Sequence, residues 1–153
     1  MPERGFAKFP RTPHLFAMGA KIPRDDKLVD DDLARTLLQR PATVEEKIDG
    51  TNLGISVDDA GRLRVQNRGS FVQTTSHPQY QPLGRWLGTR ADALREALRS
   101  TRILFGEWCF ARHTVPYDAL PDWFLAFDVY VMLDRERQRE ADEGPLLRRI
   151  DGA

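Results

Sequence analysis

The chain has 153 residues, the length of one domain with a sizeable core. With 41% hydrophobic and 30% charged residues it is neither disordered nor fibrous, and 23 basic against 23 acidic side chains leave no global field to draw it onto a polyanion or membrane. A single cysteine, Cys109, rules out an internal disulfide and a four-cysteine zinc site; with no apolar run near the ~20 residues of a membrane span and no apolar stretch after Met1, the chain reads as cytoplasmic.

Residues 1–29 read as irregular, because Pro10, Pro13 and Pro23 break any helix. Asp30, Asp31 and Asp32 start a helix whose Leu33, Leu37 and Leu38 share a face, and Pro41 closes it. Thr43 to Lys47 is a short strand candidate, Gly50-Thr51-Asn52 a turn, and Leu53 to Val57 a strand. Asp58-Asp59-Ala60-Gly61 is a hairpin turn into a strand from Arg62 to Asn67, with Leu63 and Val65 on one face. Residues 69–89, with Gly69, Pro78, Pro82, Gly84 and Gly88, read as loop. Thr89 is placed to cap a helix from Arg90 to Arg99 with Ala91, Leu94 and Leu98 inward. Ile103-Leu104-Phe105 opens a buried strand ending near Gly106-Glu107-Trp108. Trp123 to Met132, the longest apolar run, reads as a central strand. Residues 134–153 read as a charged tail.

Charge is unevenly spread. Residues 62–112 hold nine arginines against three acids, a basic stretch that could face phosphates or form a solvated helix face. Only four bases are lysine, and none lies beyond Lys47. His14, His77 and His113 are scattered, with surface or capping roles, and Cys109 beside Trp108 reads as a small buried residue.

Glu45-Glu46-Lys47-Ile48-Asp49-Gly50-Thr51-Asn52 carries the most chemistry. A lysine sits before a glycine bend, where backbone can approach a ligand closely. A lysine amine is nucleophilic only when neutral, and neighbouring positive charge favours that form. So placed, it could attack phosphorus and hold a nucleotide as a phosphoramidate. Alone, Lys-x-Asp-Gly also fits a hairpin with an exposed lysine. Arg68 could bind phosphate with its forked donors or lie at a solvated strand edge. Glu107 could bind ribose hydroxyls, support a metal or make a rim salt bridge. Phe127 could stack on a purine or fill core.

Taken in order, Lys47-Ile48-Asp49-Gly50-Thr51-Asn52, Asn67-Arg68-Gly69, Phe105-Gly106-Glu107-Trp108 and Phe124 to Val129 resemble the ATP-dependent RNA ligase family of covalent nucleotidyltransferases, which includes DNA ligases and mRNA capping enzymes among its relatives. Phe9-Pro10-Arg11-Thr12-Pro13-His14-Leu15 and Asp25-Asp26-Lys27 resemble the leader of bacterial members. The resemblance implies an α+β fold: an antiparallel-sheet, ATP-grasp-like adenylation core with flanking helices, one domain over 1–153. It implies ATP and Mg²⁺ as cofactors and broken or nicked RNA ends as partners. Lys47 would take AMP from ATP, and Asp49 would shape the turn and help position it. Glu45 and Glu46 would flank adenine, with Ile48 beside them in the nucleotide site. Asn52 would contact nucleotide or RNA end, Arg68 phosphate, Glu107 ribose, and Phe127 would stack on adenine. The family's downstream Glu-Gly strand is only faintly echoed by Glu143-Gly144, and its lysine pair has no counterpart after Lys47. The expectation is a chain truncated before the last motifs: a truncated gene product, a fragment, or half of a split enzyme whose missing segment another chain supplies. The alternative is a non-catalytic module that binds nucleotide or RNA ends.

Overall fold

Three aspartates mark the first helix. Asp30 accepts the N–H of Leu33 at 2.8 Å and caps α1 (Asp31–Leu38), while Asp31 and Asp32 lie at its positive end. The computed structural model describes residues 6–17 and 27–132. They divide into two units, Phe9–Lys47 and a larger one made of the residues up to Lys8 with those from Ile48 onward. In the first unit His14 bridges Leu28 in parallel, its N–H donating to the Lys27 carbonyl. Of the apolar positions in α1 only Ala34 is buried; the expected face of Leu33, Leu37 and Leu38 is exposed.

The larger unit is a five-stranded antiparallel sheet with helices. Its strands are β1 (Thr51–Val57), β2 (Leu63–Gln66), β3 (Phe71–Val72), β4 (Arg102–Trp108) and β5 (Phe124–Val131), in the order β3-β2-β1-β4-β5. The fold is α+β, as expected. The β1–β2 hairpin follows from its turn residues: Asp58 Oδ1 accepts the N–H groups of Ala60 and Arg62, and Gly61 takes φ 76°, a conformation open to glycine at no steric cost.

Alternation along the strands sorts the two faces. Leu53, Ile55 and Val57 of β1 join Val65, Trp108 and Phe124 under Leu83 and Trp86 of α2 (Gln81–Gly88) and Leu94 and Leu98 of α3 (Ala91–Leu98). The opposite face carries Asn52, Ser56, Gln66, Phe105 and Glu107. There the Gln66 side chain donates to the carbonyl of Ala7 at 2.6 Å, and Phe6 meets the Phe71 ring edge-on. Gly54 faces this side because a Cβ would lie 2.8 Å from the Phe105 ring.

Several local expectations need correction. Residues 43–47 form no strand; they run exposed and irregular, and the described part of their unit offers no strand to pair with. Thr51 and Asn52 belong to β1, and only Gly50 bends. The 69–89 stretch holds β3, a 3₁₀ turn at Pro78–Tyr80 and α2. Pro82 sits in the first turn, where its missing N–H costs nothing, and burying Leu83 and Trp86, each worth ~2 kcal/mol, outweighs the ~1 kcal/mol cost of Gly84. Thr89 ends α2 rather than capping α3: its hydroxyl donates to the Trp86 carbonyl, and Arg90 is the uncapped N-terminus of α3. β5 is an edge strand of the described sheet, not a central one, with Ala126 to Val129 exposed, so its apolar run does not mark burial on both faces. The expected charged tail and Glu143-Gly144 lie outside the described residues.

Arg99, which ends α3, takes φ 49°. A side chain in that region is strained by ~1 kcal/mol or more, so Arg99→Gly is expected to raise stability by ~1 kcal/mol in denaturant titration.

Candidate functional site

The chain enters the sheet unit through Ile48, Asp49 and Gly50. Gly50 has no room for a side chain: a Cβ would stand 2.9 Å from both Cys109 Sγ and the Trp108 carbonyl. The bend is therefore pressed against the end of β4, where Thr51 pairs with Trp108. Asp49 is held by the loop after β4. Its backbone N–H donates to Tyr117 Oη at 2.7 Å, and its Oδ2 accepts the N–H groups of Thr114 at 2.9 Å and Val115 at 3.4 Å. The Thr114 N–H is the main cause holding the Asp49 carboxyl below the usual carboxylate range, aided by Val115 and the nearby His113.

One register further, Asn52 of β1 lies opposite Glu107 of β4, and its Nδ2 donates to Glu107 Oε1 at 3.3 Å. An amide and a carboxylate thus share a sheet face in the same register row, two positions past the bend. The structure brings together this pair among the expected site residues. Arg68 stands exposed in the β2–β3 turn, which Asn67 organises by accepting the N–H groups of Gly69 and Ser70. Phe127 is the extra residue at a bulge, since Phe105 pairs with Asp128 and Gly106 with Ala126, and it is 45% exposed. Bulges re-aim side chains, and Gly106 permits this one by letting the Phe124 ring and Leu125 carbonyl approach. Ile48 is half-buried, while Glu45, Glu46 and Lys47 are exposed and belong to the Phe9–Lys47 unit.

Sequence reasoning missed a polar cluster beside the bend. Thr51 Oγ1 lies 3.2 Å from Gln79 Oε1 and 3.1 Å from His113 Nε2, and the Gln79 carbonyl accepts the Trp108 indole N–H at 2.7 Å. Separations of 28 and 62 residues left no spacing to find it by. His113 is thus a partner of β1, whereas His77 is a cap, as expected, accepting the Gln79 N–H. Cys109 is buried, and burial pushes its thiol pKa up, with Glu107 and Asp49 adding to the shift. Five of the nine arginines of the basic middle have partners within the chain, at its surface: Arg62 pairs with Asp58, Arg90 with Asp122, Arg95 with Asp92, Arg64 lies over Phe71, and Arg102 donates to Ala97.

Asp49→Ala is expected to free the 113–117 loop, read as several-fold faster hydrogen exchange at Thr114 and Val115. Acid should do the same. Because the folded carboxyl is depressed, its anchoring is complete above the ordinary carboxylate range and is lost as pH falls below it, read as lost protection after correction for the pH dependence of exchange itself.

The family model for RNA ligase matches residues 40–146, more than half of the chain, and the protein belongs to the RNA ligase family. Comparison with curated proteins and with solved structures found no match. No helix among the described residues is long and apolar enough to cross a membrane.

Proposed function

We propose that the protein is a nucleotidyltransferase of ATP-dependent RNA ligation, with Lys47 as its nucleophile. The observation that supports this most is the Asn52–Glu107 pair just past the Lys47-Ile48-Asp49-Gly50 bend, in a member of the RNA ligase family. Lys47 Nζ attacks the α-phosphorus of ATP through its nitrogen electron pair. The N–P bond forms, the bond to the bridging oxygen breaks, pyrophosphate leaves, and the amine proton passes to solvent. A 5′-phosphate oxygen of RNA then attacks the same phosphorus and releases the lysine. Last, a 3′-hydroxyl attacks the activated 5′-phosphate, AMP departs, and the strand is sealed. Each step is phosphoryl transfer, governed by positioning and charge.

Glu107 binds ribose hydroxyls as a carboxylate acceptor, oriented by the Asn52 amide, whose remaining capacity serves the nucleotide or RNA end. Arg68 offers its fork to phosphate, and Phe127 stacks on adenine from the bulge. Glu45, Glu46 and Ile48 border the base, and Asp49 fixes the backbone after the lysine through the 113–117 loop. Mg²⁺ would offset phosphate charge when bound; among the described residues no three His, Cys, Asp or Glu side chains converge on one point. The substrate is broken or nicked RNA in the cytoplasm.

The test is intact mass after mixing with ATP and Mg²⁺. A gain of one AMP that Lys47→Ala removes is the expected result; ATP binding without a covalent gain would leave a nucleotide-binding module in its place.

A further inference from the structure

The aromatic side chains of the larger unit form a chain that runs outward from the core. Trp86 meets Phe124 at 5.2 Å and Trp108 at 6.3 Å; Trp108 stacks on Phe110 at 6.4 Å with planes 25° apart; Phe110 meets Trp123 edge-on at 5.1 Å. Trp86, Trp108 and Phe124 are buried, whereas Phe110 is 40% and Trp123 48% exposed. The exposed pair is held firmly. The Cys109 N–H donates to the Trp123 carbonyl at 2.7 Å, and Asp122, braced by Arg90 and the Trp86 indole, accepts the Trp123 N–H.

Strand register fixes where this pair lies. Thr51 pairs with Trp108, and Trp108 with Phe124, so the first residue of β1, the last of β4 and the first of β5 share one sheet end. Phe110 lies two residues past that row and Trp123 one before it. Exposed Arg112 and His113 lie two and three residues after Phe110, and His113 Nε2 reaches Thr51 Oγ1. Two partly exposed aromatic rings, with the Arg112 guanidinium close in sequence, therefore stand at the sheet end where Gly50 and Thr51 enter β1.

We propose that Phe110 and Trp123 form a platform on which bases of a single-stranded RNA end stack, with Arg112 contacting its phosphates; this rests on the RNA-ligase reading above. Stacking needs ring faces and tolerates any base, while a nearby cation supplies the attraction to phosphate. A protein partner fits less well. Half-exposed rings of this size offer ~200 Å² of apolar surface, against the ~800 Å² per partner of a standard interface.

The test is fluorescence anisotropy of a 5′-phosphorylated, end-labelled oligoadenylate RNA of ~8 nucleotides titrated with the full chain at fixed salt. Trp123→Ala and Phe110→Ala are each expected to weaken binding by about 5- to 100-fold, and Trp123→Phe to recover most of the loss. Trp123 is the exposed one of three tryptophans, so RNA should quench the fluorescence of the unsubstituted chain and not that of Trp123→Phe. RNA affinity unchanged in both alanine variants, with each still folded by circular dichroism, overturns the platform. So does a change of sedimentation mass in Trp123→Ala without a change in RNA binding, which would make the patch a protein contact. Formation of the AMP adduct by the unsubstituted chain is read separately: Trp123-dependent RNA binding without an adduct supports the platform and overturns the ligase chemistry alone.

Discussion

Trp108→Ala is expected to lower stability by about 3–5 kcal/mol, the usual cost of emptying a large aromatic site in a core. Trp108 has no exposed surface, and it packs edge-on to Trp86 and face-to-face with Phe110. It also donates to the Gln79 carbonyl, so truncation leaves that acceptor without this partner. A domain of this size is stable by roughly 5–15 kcal/mol, so the loss removes about a third of the total and lowers the melting midpoint by ~10 °C. The consequence reaches the site, because Trp108 pairs with Thr51 and its carbonyl lies against Gly50. Trp108→Phe separates the two contributions: it keeps a ring and loses the N–H, and should cost ~1–3 kcal/mol. A midpoint for Trp108→Ala within ~2 °C of the parent would contradict the packing described.

Lys47→Arg is expected to reduce covalent AMP to background, as completely as Lys47→Ala. Arginine keeps the positive charge and most of the reach, so a lysine acting only as an electrostatic clamp would leave substantial activity in this variant. A guanidinium stays protonated at any working pH and has no free electron pair to offer phosphorus. Lys47 is exposed and outside any helix or strand, so neither substitution should change the melting midpoint by more than ~0.5 kcal/mol equivalent. Equal loss in both variants with unchanged stability identifies a nucleophile; partial retention in Lys47→Arg would identify a charge.

Residue chemistry made much of the sheet legible. The hairpin at Asp58 to Gly61 was readable because an aspartate and a glycine do local work that needs no distant partner. The strands of Leu53 to Val57 and Ile103 to Trp108 were readable from short apolar runs between turns. Helix α2 was hidden because its prolines and glycines signal loop, and only the tertiary burial of Leu83 and Trp86 reverses that. Thr43 to Lys47 misled in the other direction, since β-branched residues suggest a strand but cannot supply its partner. Of the site, the lysine bend and the Asn52 and Glu107 positions stood out by type and order. The 113–117 loop did not: Tyr117 and Thr114 meet Asp49 across more than 60 residues, and such contacts leave no trace in spacing.

The most direct test uses the unsubstituted protein with Mg²⁺ and ATP carrying label on the α-phosphorus in one sample and on the γ-phosphorus in another. Retention of the α label alone, released by acid and mapped to the peptide containing Lys47, is the result expected from a phosphoramidate at that amine. Retention of the γ label, or of α label on a peptide lacking Lys47, would contradict it.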